Sequence, residues 1–146
     1  MKIAVACDHG AFDLKNKVVA ALTAKGHEVK DFGTYSKDSC DYPDFAGPAA
    51  KAVASGEFDK GIVLCTTGIG VSITANKVKG IRCALCADSL SAEMTRRHND
   101  ANILAMGERV LGPGLALKIV DTFLNTPFEG GRHARRVDLI SKIEEN

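Results

Sequence analysis

The sequence predicts an α/β protein: a three-layer αβα architecture, Rossmann-like, built on a five-stranded parallel sheet. Three observations predict it. Short apolar, partly β-branched runs recur along the chain, segments with helical spacing of their apolar residues alternate with them, and glycine or proline punctuates the junctions. At 146 residues, 45% hydrophobic and 25% charged, one domain spanning residues 1–146 is expected, large enough to bury roughly two thirds of its chain surface. There is no internal repeat and no low-complexity segment.

Lys2 to Cys7 reads as the first strand, and Asp8-His9-Gly10 leads from it into a helix over Ala11 to Lys25. Leu14, Val18, Val19 and Leu22 share one face of that helix, and Gly26 stops it. Glu28 to Phe32 alternates as a shorter strand, and Gly33 to Pro43 forms a polar loop ending in Asp41-Tyr42-Pro43-Asp44. An alanine-rich helix over Asp44 to Ser55 is closed by Gly56. The third strand, centred on Ile62 to Leu64 and ending at Cys65, enters a turn bearing Gly68 and Gly70, and a helix opens near Ser72. A strand at Arg82 to Ala87, a helix over Ser89 to Arg97 and a strand at Ile103 to Met106 follow. Gly107 to Gly114 makes a turn, Leu115 to Leu124 a helix, and Pro127 to Gly131 breaks the chain before a last helix over Arg132 to Ile143.

The formal net charge is +1, from 19 basic and 18 acidic residues mixed along the chain. Such a balance offers no field for nucleic acid or an anionic membrane, so neither partner is expected. The apolar run before Asp8 is too short for a secretion signal and no later run approaches a membrane span, so a soluble, cytoplasmic protein is expected. Five cysteines, an odd number set mostly in apolar patterns, fit reduced thiols. Cys83 and Cys86 have redox or zinc spacing, but residues three apart in a strand point to opposite faces and no second pair completes a site, so no metal is expected.

The chemistry is expected around Cys65. Open α/β sheets bind ligands at the carboxyl ends of their strands. There, glycines at 68 and 70 uncover backbone N–H groups and the following helix adds the positive end of its dipole, an arrangement that welcomes an anion and favours the thiolate of a facing cysteine. The plain alternative makes Cys65 a small buried apolar residue. Asp8 and His9 follow the first strand and belong to the same edge, although Asp8 is equally suited to capping a helix. Arg96-Arg97-His98-Asn99 ends a helix, where cations and a left-handed Asn suit the terminus; His98 is alternatively an acid or base near neutrality. Arg132 and Arg136, four apart, form either a phosphate clamp or a solvated basic face, and Arg109 is a third candidate arm. A thiol, an imidazole, an Asp-His pair and several arginines together suit proton transfer on a small phosphorylated compound.

Six motifs in order carry a resemblance across almost the whole chain: Ala6-Cys7-Asp8-His9-Gly10; Asp41-Tyr42-Pro43-Asp44; Cys65-Thr-Thr-Gly-Ile-Gly-Val-Ser72; Arg97-His98-Asn99-Asp100-Ala101-Asn102; Gly107-Glu-Arg-Val110; and Gly131-Arg132-His133 with Arg136-Val137. The sequence resembles the type B ribose-5-phosphate isomerases, a family that includes galactose-6-phosphate and allose-6-phosphate isomerases. The resemblance implies that Cys65 is the base moving a proton between C1 and C2, and that His98 opens the furanose ring. It implies that Thr67 and the backbone of Thr66, Gly68, Ile69 and Gly70 hold the enediolate oxygens, and that Asp8, Tyr42 and Asn99 contact sugar hydroxyls. His9, Arg109, Arg132 and Arg136 would bind the phosphate. It further implies no cofactor, and a homodimer or dimer of dimers whose sites are each built from two subunits.

The chain departs from the cysteine-type pattern at Thr66, where glycine is usual. Threonine keeps the N–H donor but resists positive φ. Relatives lacking the cysteine carry a glutamate where this chain has Val71. Two readings of other classes compete. A dinucleotide-binding oxidoreductase would use Gly68-x-Gly70 with Asp88, but Ile73 replaces the third glycine of that fingerprint. A flavodoxin-shaped binding domain without turnover is the other.

Overall fold

The computed structural model describes residues 1–145. Its five strands are β1 (Lys2–Cys7), β2 (Glu28–Asp31), β3 (Lys60–Cys65), β4 (Cys83–Leu85) and β5 (Ile103–Gly107). All pair in parallel, in the order β2-β1-β3-β5-β4. Six helices accompany them: α1 (Phe12–Ala24), α2 (Pro43–Ala54), α3 (Ile69–Asn76), α4 (Ser89–Asn99), α5 (Pro113–Asn125) and α6 (Arg132–Ile143).

The period of two in the central strands sorts their side chains into two cores. Ile3, Val5, Ile62, Leu64, Leu104 and Met106 face α1, α4 and α5, where Leu14, Val18, Ala92, Ile119 and Phe123 meet them. Ala4, Ala6, Val63, Cys65 and Ala105 face α2 and α3. The second face is built of small residues, so α2, which presents Ala46, Ala49 and Ala50, lies close against the sheet. These layers are the αβα architecture expected from the sequence.

The strand order creates the site. From β1 the chain steps outward to β2, then returns to the far side of β1 as β3, goes on to the far edge as β4 and fills the gap between β3 and β4 with β5. The loops leaving β1 and β3 therefore diverge and open a crevice at the carboxyl edge of the sheet.

Several boundaries differ from expectation for physical reasons. A 3-10 turn, His9–Ala11, precedes α1. The helix expected near Ser72 begins at Ile69, because Gly68, at φ +81°, completes the turn by itself. The expected strand from Arg82 to Ala87 shortens to β4; it is a sheet edge, and Arg82 spends its N–H on the Asn102 side chain at 2.8 Å. The left-handed residue after α4 is Asp100 (φ 46°), not Asn99. Lys15, within the apolar face of α1, is buried too, its ammonium paired with Asp31 at 2.8 Å and bonded to the Thr34 carbonyl at 2.6 Å.

Candidate active site

Cys65 ends β3 with its side chain 5% exposed. Its Sγ accepts the N–H of Gly68 at 3.1 Å, at the entrance of α3. The other thiols in apolar surroundings are poor candidates, since burial pushes Cys7 and Cys83 up to about 12 and Cys86 up to about 11. After Cys65, Thr67 Oγ1 accepts the Ile69 N–H at 3.2 Å, leaving its hydroxyl proton free to donate. The N–H groups of Gly70 and Val71, in the first turn of α3, have no intrahelical partner by the geometry of a helix start. The loop is fixed from below: Glu108 and Arg109 donate their N–H groups to the carbonyls of Cys65 (3.0 Å) and Thr66 (3.1 Å).

Thr66 is accommodated without positive φ; among the described residues Asp100 is the one non-glycine in the left-handed region. Its hydroxyl occupies the space above Gly10, where a Cβ would fall 2.1 Å from Thr66 Oγ1. Gly10, which the sequence reading quoted in a motif without a role, is thus what makes room for Thr66. Gly70 plays the same part for Tyr42, whose ring lies where a Cβ would come within 2.8 Å.

Asp8 is 7% exposed and caps the 3-10 turn, Oδ1 accepting the Gly10 N–H at 2.9 Å. The capping alternative therefore holds, and the same carboxylate also lines a cavity of about 610 Å³ with His9, Cys40 and the segment from Asp41 to Asp44. That volume suits a small polar metabolite. His9 Nδ1 accepts the Cys40 N–H at 3.3 Å, which fixes the ring at the cavity mouth. Arg109, exposed, stands at the same edge.

The remaining expected residues lie elsewhere. α4 runs back antiparallel to the strands, so His98 and Asn99 come at the amino edge of the sheet, where Arg82 Nε binds the Asn99 carbonyl at 2.9 Å. The Gly61 N–H bonds the Asn102 carbonyl at 2.9 Å, which puts the start of β5 level with the start of β3. Cys65 is four residues further along β3, about 13 Å at ~3.3 Å per residue. Arg132 and Arg136, exposed on α6, belong with His98. The expected residues thus fall into two clusters at opposite edges: Cys65, Thr66, Thr67, Gly68, Ile69, Gly70, Asp8, His9, Tyr42 and Arg109 at one, His98, Asn99, Arg132 and Arg136 at the other.

The second cluster contains two residues the sequence reading did not assign. The His98 and His133 rings stack at 4.3 Å between centroids and 11° between planes. Glu129 Oε2 lies 3.2 Å from His133 Nε2 and 4.0 Å from His98 Nε2. His133 stands in the Gly131-Arg132-His133 motif; Glu129 lies in a loop, where no helical periodicity announces it. The ligand atoms of His98, Glu129 and His133 lie within 4.8 Å of one another, close enough to hold a metal ion. The Arg97 guanidinium on Glu129 and the Arg132 and Arg136 charges near His133 oppose a cation there.

The residues from 3 to 140 match the ribose/galactose isomerase family. The chain belongs to that family. It is 51% identical to ribose-5-phosphate isomerase B of Escherichia coli over 144 residues, covering 99% of this chain and 97% of the relative. Among solved structures, the Clostridium thermocellum ribose-5-phosphate isomerase B superposes with a TM-score of 0.98 at 57% identity, covering 99% of this chain and 98% of that one. A Mycoplasma genitalium ribose-5-phosphate isomerase B with bound ribulose 5-phosphate superposes at 0.95, with 41% identity over 99% of this chain and 97% of that one. Of the pieces a dinucleotide site would need, the Gly68-x-Gly70 turn is present, but Asp88 is spent capping α4, accepting the Ser91 N–H at 2.6 Å and its hydroxyl at 3.0 Å, and Ile73, in place of the third glycine, points outward, 57% exposed. No helix among the described residues is long and apolar enough to cross a membrane.

Proposed function

We propose that the whole chain, as one domain, is a cofactor-independent, cytoplasmic aldose–ketose isomerase that interconverts ribose 5-phosphate and ribulose 5-phosphate through an enediolate. The observation that carries the reading is the Cys65 thiol, held by the Gly68 N–H beside the Asp8–Tyr42 cavity at the carboxyl edge. Substrate identity is supported by the ribose-5-phosphate isomerases that resemble the chain and by the ribulose 5-phosphate bound to one of them.

Ring opening comes first. His98 gives a proton to the ring oxygen as the C1–O4 bond breaks, while the anomeric hydroxyl releases its proton to water and C1=O forms. The Cys65 thiolate then takes the C2 proton, and the electron pair moves into C1=C2 with negative charge on the C1 oxygen. The Thr66–Gly70 turn stabilises that charge, Gly70 through an N–H that the helix start leaves unpaired while those of Gly68 and Ile69 stay on Cys65 Sγ and Thr67 Oγ1; one such donor is typically worth 10²–10³ in turnover. The Thr67 hydroxyl passes a proton to O1 as O2 loses its own, and Cys65 returns its proton to C1, giving the ketose. Asp8, Tyr42 and Asn99 hold sugar hydroxyls, and His9, Arg109, Arg132 and Arg136 bind the phosphate, guanidiniums matching its oxygens in pairs.

Because His98, Asn99, Arg132 and Arg136 lie at the opposite edge from Cys65, a second copy of the chain supplies them in a homodimer or dimer of dimers. Galactose-6-phosphate or allose-6-phosphate isomerisation is the runner-up, favoured by the family's breadth over ribose and galactose. Proton NMR of the purified protein with ribose 5-phosphate in D₂O tests the assignment: ribulose 5-phosphate forms, and deuterium enters C2 of recovered ribose 5-phosphate. No conversion of ribose 5-phosphate, with turnover of a six-carbon sugar phosphate in the same tube, would transfer the reading to the runner-up.

A further inference from the structure

Glu129 is tied to α4 twice over. Its N–H donates to the Arg97 carbonyl at 3.1 Å, and its Oε1 accepts Arg97 Nε at 2.7 Å and Nη2 at 2.6 Å. Arg97 is held in turn by Glu93 at 3.0 Å. With Oε1 taken, Oε2 is the oxygen turned to the stacked imidazoles, 3.2 Å from His133 Nε2 and 4.0 Å from His98 Nε2. His133 is 7% exposed, and its Nε2 has no aligned hydrogen bond among the described residues. Among the described residues Glu129 is the one carboxylate within ion-pair distance of it. A buried nitrogen with a carboxylate at this distance is an imidazole waiting to be fixed from that side.

We propose that Glu129 is a positioning residue for the acid–base work of His98: it pins the His98–His133 stack and supplies the negative charge that keeps one proton on the pair. The proposal rests on the reading of His98 as the ring-opening group. The charges around the stack show why an anion is needed. Arg97 on α4 and Arg132 and Arg136 on α6 are all cationic, and burial first, then His98 and Arg132, hold the His133 imidazole below its ordinary value, with Glu129 opposing them. The hydrogen bond from Arg97 holds the Glu129 carboxyl below the usual carboxylate range, so it is anionic at neutral pH. Without it, a proton on the stack would face only cations.

The two directions of the reaction separate the ring step from the proton transfer at carbon. Ribose 5-phosphate enters as a furanose and must be opened; ribulose 5-phosphate, whose C5 hydroxyl is esterified, is already open. Glu129→Gln is therefore expected to slow conversion of ribose 5-phosphate about tenfold, below the ~10² lower bound for losing an acid–base group outright. Exchange of the C1 hydrogen of ribulose 5-phosphate with D₂O, which needs only the Cys65 step, is expected to remain unchanged. Glu129→Asp, keeping the charge at shorter reach, should fall between, and also serves if the Gln variant does not fold. Equal loss in both reactions would show a merely structural role, and no loss in either would show none; each overturns the proposal. His98→Ala, run alongside, keeps the two readings apart. If it spares both reactions, the reading of His98 fails and this proposal with it; if it slows only the ring-dependent reaction while Glu129→Gln does not, the proposal alone is overturned.

Discussion

Replacing Gly68 with alanine measures how tightly the turn after β3 is pressed onto the sheet, and Gly26→Ala is its matched control. Both glycines have positive φ, +88° at Gly26 and +81° at Gly68, so both variants lose about 1 kcal/mol or slightly more to the left-handed conformation. Around Gly26 nothing lies within 4 Å of an added Cβ. At Gly68 the Cβ would fall 2.8 Å from the Met106 carbonyl carbon and 3.0 Å from its oxygen, backbone atoms of β5 that cannot step aside, as well as 2.6 Å from the Leu85 side chain. Relief requires the turn to lift, which also stretches the Gly68 N–H bond to Cys65, worth about 1 kcal/mol. Overpacking adds a further 1–2 kcal/mol. The expected gap between the variants is about 2–3 kcal/mol, roughly 6–9 °C in Tm for a chain of this size. Activity should follow: Gly26→Ala keeps full kcat, whereas Gly68→Ala loses about tenfold or more, because small misplacements of reacting groups are costly. Calorimetry and steady-state rates on the pair decide it. Equal Tm shifts with equal rates would refute the argument that backbone contact at Met106 holds the turn.

Cys65→Ala is expected to lower turnover by ~10² to 10⁴ with the circular dichroism spectrum preserved; near-normal rates would remove the thiol from the mechanism. Arg136→Ala should raise KM for the phosphorylated substrate, and weaken competition by inorganic phosphate, with kcat little changed; unaltered affinity for both would dissolve the clamp. Stability should also fall in alkali. Thiols of unfolded chain titrate near 9.0, whereas burial raises Cys7 and Cys83 to about 12 and Cys86 to about 11, so the folded state retains protons that the unfolded state releases. The contribution is fully present below pH 9 and is lost as pH rises from there through 11 and 12; urea midpoints at pH 7.5 and 10 read it, and equal midpoints would contradict the burial argument. On the acid side the depressed His133 works in the opposite sense, its contribution present above its ordinary value of 6.5 and lost as pH falls below it.

The sequence by itself determined the layers of the fold and which candidate residues gather at the carboxyl edge. Both are written in local signals. The strands alternate or run apolar, α1 repeats at Leu14, Val18 and Leu22, and Cys65 is followed within five residues by the two glycines of its turn. The elements lie where periodicity put them, with ends displaced by one to three residues where a single side chain, such as Asn102 at Arg82, intervened. Tertiary structure decided what periodicity cannot carry. Lys15 sits on an apolar helix face because Asp31 and the Thr34 carbonyl, distant in sequence, meet its charge. Thr66 sits without positive φ, its hydroxyl in the room that Gly10, on another loop, leaves. Glu129 reaches the histidines because α5 carries the chain back to the amino edge and the loop after it is tied to Arg97. The same direction of α4 separates His98 from Cys65: which end of a strand or helix a residue occupies follows from its position in the sequence, but which ends meet depends on the order and direction in which the elements pack.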